Sequence, residues 1–230
     1  MSDLGARLHE LDARPLPSAE RFDTGQALVG EVVVLPSAFN PPTVAHQHLL
    51  ERAAVLAGAT QPAALLTTRN VDKGLHGASL EERVEMLLAL HSNWPGLAVL
   101  ASNKARIIDQ AEALRAAFGE RLSLRFVVGF DTLERLFAPR YYTDMEGELA
   151  PFFERSRVLA ANRADVTAGA VEKWIRENAG PFASQIDVLE IDEQPAALSS
   201  SQARESAQEA LRQMVPGPVL TYIEEHGLYS

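Results

Sequence analysis

Three segments of this sequence carry residues suited to binding phosphate groups or sugar hydroxyls. The first is residues 36–46, Pro-Ser-Ala-Phe-Asn-Pro-Pro-Thr-Val-Ala-His, between a short apolar run and a helical pattern. A helix N-terminus offers unpaired backbone N–H groups and the positive end of a dipole, which suit an anion. Thr43 is the predicted N-cap, and His46 lies one turn into the helix on the same side. Taken alone, the segment fits a plain helix start with a packed core histidine better.

The other two segments are residues 198–204 and 128–131. In the first of them, three serines stand at a predicted helix start, with Arg204 in its first turn. This arrangement could hold a triphosphate, although serine is also a common helix cap. In the second, Gly129 lets a ligand approach the backbone and Asp131 could accept hydrogen bonds from a ribose. The same two residues also fit a turn glycine followed by an N-cap aspartate.

Two other phosphate-binding patterns are missing from the sequence. There is no G-x-G-x-x-G after the first predicted strand and no G-x-x-x-x-G-K-[ST] anywhere. These absences disfavour a hydride-transferring dinucleotide enzyme and a P-loop ATPase.

Short apolar runs alternate with helical patterns from Glu31 onward, and they predict the elements that position these segments. The runs are Val32–Leu35, Ala63–Thr67, Leu97–Ala101, Leu124–Val128, Arg157–Ala161 and Ile186–Ile191. Alternation of strand and helix predicts right-handed β-α-β units and a doubly wound parallel sheet of the α/β class. Ligands of such sheets bind beyond the carboxyl ends of the strands, where all three segments fall.

Size and composition predict one globular domain. The chain has 230 residues, and we assign residues 31–230 to a single domain and residues 1–30 to an N-terminal appendage. The only long irregular segment expected within the domain is Ala138–Glu148, and loops of that length are often functional.

Charge and cysteine content exclude several classes of partner. The net charge of −10, from 21 basic and 31 acidic residues without a Lys/Arg cluster, argues against nucleic acid and anionic membranes as partners. The chain has no cysteine, no secretory pattern at its N-terminus and no apolar stretch of membrane-spanning length. We therefore expect a soluble, cytoplasmic protein, and homo-oligomer formation stays open.

The three segments, in this order after predicted strands one, four and six, resemble motifs of the nucleotidyltransferase superfamily, typified by nicotinamide and nicotinate mononucleotide adenylyltransferases. The (H/T)-x-x-H signature of that family matches Thr43-Val-Ala-His46, which follows Phe39-Asn40-Pro41. Its S-S-T-x-x-R signature matches residues 199–204, with serine at Ser201, and its G-x-D matches Gly129-Phe-Asp131. The resemblance covers about Glu31 to the C-terminus.

Short sequence segments such as Gly129-Phe-Asp-Thr-Leu and Pro139-Arg-Tyr-Tyr142 are most similar to those of the fungal-type nicotinamide mononucleotide adenylyltransferases. The chain departs from the family at Pro36-Ser37, where a glycine pair is usual, and at Ala45, where glycine is common. The pyridine-binding Tyr-Thr…Thr-Leu stretch of bacterial nicotinate enzymes is absent from Ile107–Leu114. These departures concern the acceptor base more than the chemistry.

The resemblance implies transfer of AMP from ATP to a mononucleotide, with nicotinamide mononucleotide as the first choice, forming NAD and pyrophosphate. The residues that it implies as catalytic are His46, Thr43 and Arg204. The implied ATP contacts are Ser37, Phe39, Thr43, His46, Gly129, Asp131, Ser199, Ser200, Ser201 and Arg204. The implied acceptor contacts are Ser37, Ala38, Lys73, Trp94 and Arg163. It implies no protein metal site, with Mg²⁺ held mainly by the ATP phosphates.

Two alternatives stay open from the sequence. One is the same chemistry with another acceptor, such as nicotinate mononucleotide or phosphopantetheine. The other is a nucleotide-binding protein without activity, because a fold alone does not establish a reaction. Retention of both His46 and Arg204 argues against the second alternative.

Overall fold

Strands and helices alternate along the described part of the chain. A computed structural model describes residues 2–58, 61–69, 77–162, 166–191, 200, 203 and 208–229. The strands are β1 (Ala19–Arg21), β2 (Glu31–Ser37), β3 (Gln61–Thr67), β4 (Ala98–Ser102), β5 (Ser123–Gly129), β6 (Ser156–Ala161) and β7 (Ile186–Leu189). The helices are α1 (Asp3–Ala13), α2 (Val44–Leu56), α3 (Leu80–Asn93), α4 (Ile107–Phe118), α5 (Phe130–Leu136), α6 (Met145–Arg155), α7 (Ala168–Asn178), α8 (Gln208–Met214) and α9 (Gly217–His226). Short 3₁₀ segments occupy Pro139–Tyr141 and Gly180–Gln185.

The strands form one sheet in the order β1-β4-β3-β2-β5-β6-β7. β1 is antiparallel to β4, and the other neighbouring strands are parallel. Val32, Val33 and Val34 have no exposed surface, as a strand covered on both faces requires. The predicted doubly wound parallel sheet is confirmed, and each of the six predicted apolar runs overlaps a strand.

The strand order reverses between β2 and β5, and the two strands separate at their carboxyl ends. Their paired register runs from Glu31–Ser123 to Val34–Phe126. Beyond it, Ser37 is in register with Leu66 of β3, whereas Gly129 is in register with Ala161 of β6. At their carboxyl ends, β2 thus stays paired with β3, and β5 stays paired with β6. A cleft opens between β2 and β5, where the strand order reverses, and ligands of such sheets bind at this place.

Two hydrophobic clusters hold the helices against the two faces of the sheet. Side chains from α1, α2, α3, α8 and α9 join one cluster with Val33 and Leu35 of β2. Side chains from α4, α5, α6 and α7 join the other cluster with Val32 and Val34. This alternation along one strand is the period of two that a strand imposes. Within the described ranges, no helix has the length and apolar character needed to cross a membrane.

The N-terminal segment that we expected to be an appendage is part of the same folded body. Leu8 and Leu11 of α1 are buried in the first cluster. β1 extends the sheet beyond β4, and the buried Asn103 side chain donates to the carbonyls of Arg14 and Leu16. The boundary at residue 31 therefore does not separate two structural units, because residues 3–22 bury apolar surface and complete the edge of the sheet.

The segment Ala138–Glu148 is more regular than expected. It contains the 3₁₀ turn at Pro139–Tyr141, and α6 begins at Met145 with Asp144 as its N-cap. The Asp144 side chain accepts a hydrogen bond from the Gly147 N–H, which satisfies a backbone donor at the helix start. Only a short connection remains irregular, so the segment is a linker between helices rather than a long loop.

Candidate active site

The loop between β2 and α2 forms one wall of the cleft and follows a tight path. Phe39 has a φ of 44°, which is rare for a residue with a side chain, yet it is only 1% exposed. Non-glycine residues in this left-handed region cluster at functional sites, where the surrounding structure stabilises them. The Phe39 ring packs against the His46 ring with centroids 4.9 Å apart. The buried phenylalanine therefore supports one face of the imidazole.

Thr43 and His46 form a reciprocal cap at the start of α2. Thr43 is the N-cap, as predicted, and its Oγ1 accepts from the His46 N–H at 3.4 Å. The Thr43 N–H in turn donates to His46 Nδ1 at 3.0 Å. This is a capping box in which a histidine stands where a glutamate or glutamine is usual. The three-residue spacing read from the sequence is what allows both bonds.

The cap fixes the protonation state of the imidazole. Because Nδ1 accepts a backbone N–H, the proton of the neutral ring lies on Nε2. Burial lowers the pKa of His46 to about 4, so the ring is neutral near pH 7. Nε2 lies 3.0 Å from the Ser37 hydroxyl at the carboxyl end of β2. The cleft therefore contains a neutral, oriented N–H donor beside a partly exposed serine.

The Thr43 side chain is fixed against His46. Its side chain has no exposed surface, and its Oγ1 lies 2.8 Å from His46 Nδ1. The hydroxyl thus faces the imidazole and has no surface open to the cleft. The structure therefore supports a role of Thr43 in orienting His46, and its predicted phosphate contact stays a prediction.

The same loop is attached to three distant parts of the chain. The buried Asn40 side chain accepts from the Ala78 N–H at 3.1 Å and from the Tyr229 hydroxyl at 2.7 Å. The Ser200 hydroxyl donates to the Pro41 carbonyl at 2.9 Å. Ser200 belongs to the predicted serine-rich motif, so the structure brings the first two motifs into contact across 159 positions. The contacts of Asn40 and Tyr229 were missed by the sequence reading, although Asn40 lies in the first motif.

Much of the second motif lies outside the described residues. Ser199, Ser201 and Arg204 are there, as are the two predicted acceptor contacts Lys73 and Arg163. Ala203 is described and fully buried in the first hydrophobic cluster. These five predicted site residues stay predictions.

The end of β5 forms the opposite wall, and it is open. Gly129 is the N-cap residue of α5 and has no side-chain cap, while Asp131 is exposed in the first turn. A Cβ built on Gly129 meets nothing within 4 Å. Its φ of −72° is accessible to any residue, so glycine is not required there by the backbone. The free space above Gly129 leaves room for a ligand between the walls.

Of the remaining predicted acceptor contacts, Ala38 and Trp94 lie at opposite edges of the sheet. Ala38 follows Ser37 at the cleft and is partly exposed. Trp94 caps the C-terminal end of α3, and its carbonyl accepts from Leu97, just before β4 begins. That end of β4 is the amino edge of the sheet. The structure therefore does not bring Trp94 to the cleft, and its ring packs against the first hydrophobic cluster.

Comparison with known proteins agrees with this geometry. Residues 34–206 match a family model described as cytidylyltransferase-like, a range that includes both walls of the cleft. The chain is 26% identical over 205 residues to a relative named "Probable nicotinate-nucleotide adenylyltransferase" from Listeria innocua. That match covers 87% of this chain and 97% of the relative.

Solved structures with the same fold include Plasmodium falciparum nicotinic acid mononucleotide adenylyltransferase. Its complex with NaAD aligns with a TM-score of 0.68 at 15% identity, covering 87% of this chain and 98% of that chain. The complex of the same enzyme with APC aligns with a TM-score of 0.64 at 13% identity and the same coverage. At these identities, the likeness concerns the fold.

Proposed function

Because this chain belongs to the cytidylyltransferase-like family of the nucleotidyltransferase superfamily, we propose that it is an adenylyltransferase that joins ATP to a pyridine mononucleotide. A 5′-phosphate oxygen of the mononucleotide attacks the α-phosphorus of ATP. The bond from that phosphorus to the oxygen bridging to the β-phosphate breaks, and pyrophosphate leaves. The products are a dinucleotide and pyrophosphate, with no covalent enzyme intermediate.

The observation that supports this reaction most directly is the neutral Nε2–H of His46 at the mouth of the cleft. Negative charge builds on the α-phosphate oxygens during the attack. A fixed donor aimed at that charge stabilises the transition state more than bound ATP. To reach the phosphate, Nε2–H exchanges its contact with Ser37 for one with a phosphate oxygen. Catalysis then rests on positioning and charge stabilisation.

For the other predicted site residues we propose the roles that the family resemblance implies. Ser200 is held against the β2–α2 loop by its bond to the Pro41 carbonyl. Together with Arg204, which the sequence motif implies, it would bind the departing β,γ-phosphates. Asp131 is exposed beside the open space at Gly129, where its carboxylate would accept hydrogen bonds from a ribose. Each role pairs a polar group with the part of ATP that it suits chemically.

Magnesium enters this proposal with the nucleotide. In the described part of the chain, no group of three or more His, Cys, Asp or Glu side chains is placed to hold a metal ion by itself. Mg²⁺ keeps several waters and commonly binds through substrate phosphates. The ion would therefore be held mainly by the triphosphate and would supply neutralisation of its charge.

For the acceptor, we propose nicotinamide mononucleotide, with nicotinate mononucleotide as the second candidate. The phrases around Gly129 and Tyr142 and the missing pyridine stretch at Ile107–Leu114 favour nicotinamide. The names of the Listeria and Plasmodium proteins refer to nicotinate, which favours the second candidate. The two acceptors differ in one group on the pyridine ring, which is an amide in the nicotinamide compound and a carboxylate in the nicotinate compound. A single polar contact can therefore decide between them.

The test is mass spectrometry of the products formed from ATP, Mg²⁺ and one acceptor at a time. Nicotinamide mononucleotide, nicotinate mononucleotide and phosphopantetheine are supplied at equal concentration, and pyrophosphate is measured in parallel. We expect a dinucleotide and one pyrophosphate per turnover, fastest with nicotinamide. An ATP analogue with a methylene group between the α- and β-phosphates is the control and should give no product.

Each result decides one level of the proposal. Faster turnover of nicotinate mononucleotide would correct the acceptor and keep the reaction. Product only with phosphopantetheine would replace the pyridine assignment. ATP binding without product from any acceptor would favour the non-catalytic alternative.

A further inference from the structure

The C-terminal end of the described chain returns to the β2–α2 loop. Helix α9 ends at Gly227, whose φ of 61° is a left-handed conformation that glycine adopts without strain. The N–H groups of Gly227 and Leu228 both donate to the Ile223 carbonyl, which turns the chain back toward the cleft. The Tyr229 hydroxyl then donates a 2.7 Å hydrogen bond to Asn40 Oδ1, across 189 positions of sequence.

The bond from Tyr229 is one of two that the Asn40 side-chain carbonyl accepts. Its side-chain carbonyl also accepts from the Ala78 N–H, just before α3 begins, at 3.1 Å. An amide oxygen has two lone pairs, and the two donors occupy both. Asn40 is 5% exposed, so water cannot readily replace a donor that is removed. The orientation of this amide therefore depends on the tyrosine hydroxyl as well as on α3.

The neighbours of Asn40 connect it to both phosphate motifs. Phe39 precedes it, and the Phe39 ring supports the His46 ring at 4.9 Å. Pro41 follows it, and the Pro41 carbonyl accepts from Ser200. A shift of the Asn40 backbone would move the support of the imidazole and the anchor of the serine motif together.

We infer that Tyr229 is a positioning residue for the proposed reaction. Through Asn40, its hydroxyl holds the β2–α2 loop in the conformation that aims His46 Nε2–H into the cleft. The inference rests on the proposed function, and it assigns a role in turnover to the end of the chain, far in sequence from either motif.

The packing of α9 is independent of this hydroxyl. Val219 and Ile223 are buried in the first hydrophobic cluster, and the Tyr229 ring packs against the same cluster. Phenylalanine at position 229 keeps the ring and its apolar contacts. The substitution therefore removes the hydroxyl that donates to Asn40 and keeps the apolar packing of the helix.

The test compares Tyr229→Phe with Tyr222→Phe. Tyr222 lies on α9, its ring stacks on His226 at 4.0 Å, and the substitution also deletes one phenol hydroxyl. We expect Tyr229→Phe to lower kcat about tenfold, the effect of one well-placed hydrogen bond. We expect the KM for ATP to change less than threefold and the melting temperature to stay close to that of the wild type. Tyr222→Phe should match the wild type in all three.

A second measurement separates positioning from general weakening of the fold. If the hydroxyl acts on His46, Tyr229→Phe should cost little further kcat in a His46→Ala background. An equal loss in both backgrounds would overturn the inference, and so would wild-type kcat in the single variant. A loss of kcat that only follows a lower folded fraction would also overturn it.

Histidine NMR on the ligand-free protein tests the role of Tyr229 without measuring the reaction. With ¹⁵N-labelled histidine, the His46 signals, assigned from the His46→Ala spectrum, should show the Nε2–H tautomer in the wild type. Tyr229→Phe should shift them and Tyr222→Phe should not. Absence of dinucleotide product from the wild type would count against the proposed function, whereas unchanged His46 signals in Tyr229→Phe would count against the role of Tyr229.

Discussion

The two walls of the cleft are built in opposite ways. On the β2 wall, His46 is held by Thr43, Ser37 and Phe39, and the loop behind it is tied to distant parts of the chain. On the β5 wall, Gly129 has free space above it and Asp131 is exposed. The side chains of the β2 wall are already held in one conformation without a ligand, whereas the β5 wall is an open surface.

This difference separates two tasks. A donor that must stabilise charge in a transition state works best when it is already oriented and needs no reorganisation. A surface that binds a nucleoside needs room and contacts that form as the ligand docks. We therefore expect changes on the β2 wall to act mainly on kcat, and changes on the β5 wall to act mainly on the KM for ATP.

The largest effect is expected from His46→Ala. Loss of the Nε2–H donor removes an interaction that strengthens as charge builds on the α-phosphate. Removing one such donor typically costs roughly 10²–10³ in turnover. We expect kcat to fall by that order, with a much smaller change in ATP affinity. Single-turnover rates and thermal unfolding of the same preparation measure both effects.

The matched control for this change is His48→Ala. His48 lies on the same helix but is exposed, so its removal should leave kcat and stability close to the wild type. A destabilised His46→Ala protein with full activity per folded molecule would identify His46 as a core residue only. The β2 wall would then no longer be the wall that supplies the catalytic donor.

A smaller effect, about tenfold in kcat, is expected from Thr43→Val. Valine keeps the shape but removes the oxygen that caps α2 and contacts His46 Nδ1. Losing a cap costs about 0.5–2 kcal/mol of stability. Thr167→Val provides the control, because the Thr167 side chain also caps a helix, α7, but lies on a different element from His46. We expect both variants to lose similar stability and only Thr43→Val to lose turnover in steady-state assays.

The same experiment distinguishes positioning from direct contact. If Thr43→Val raises the KM for ATP and leaves kcat unchanged, Thr43 contacts a phosphate as the sequence first suggested. Thr43→Ser should restore most of kcat, because serine supplies the same oxygen.

The local parts of this architecture could be predicted from the sequence. β2 is a run of branched apolar residues, and the Thr43–His46 spacing of three residues is that of a helix cap. β1 was missed because it has three residues, two of them charged, and forms by pairing with β4. Helix α6 was missed because it contains Pro151, which argues against a helix in a sequence reading.

The contacts that define the site were less predictable, because they join residues far apart in sequence. Nothing local in Tyr229 or Asn40 indicates that their side chains meet. Trp94 is the opposite case, because the sequence suggested a contact with the acceptor and the fold places the residue away from the cleft. An aromatic residue near a motif suggests base stacking, but α3 runs 14 residues from the edge with the cleft to the opposite edge. The packing of α3 and α9, which the sequence does not reveal, decides which distant residues lie near the first motif.

The imidazole of His46 also predicts a pH dependence of stability. Burial lowers the pKa of His46 from 6.5 to about 4 in the folded protein. As pH falls below 6.5 the unfolded chain takes up this proton first, so the contribution of the neutral ring to stability is lost between about pH 6.5 and 4. The slope is at most about 1.4 kcal/mol per pH unit. Chemical denaturation of the wild type and His46→Gln across this range should converge as pH falls, and a constant difference would contradict the lowered pKa.

The β5 wall can be tested at Gly129 with little disturbance of the fold. The position has an ordinary φ, and an added Cβ meets no protein atom within 4 Å. The same is true of Gly169 in α7, so Gly169→Ala is a matched control away from the cleft. Any effect confined to Gly129→Ala must come from the ligand.

The smallest expected effect is therefore that of Gly129→Ala on ATP binding. If the nucleotide approaches the backbone at the end of β5, the methyl group occupies space that the ligand needs. The KM for ATP should rise several-fold, while kcat at saturating ATP stays within about twofold, because His46 on the other wall is untouched. Calorimetric ATP titration should show the same loss of affinity, with unchanged thermal unfolding. If both glycine variants bind ATP like the wild type, the nucleotide does not approach Gly129. If kcat falls instead of affinity, the β5 wall also takes part in the transition state, and the division of tasks between the walls is wrong.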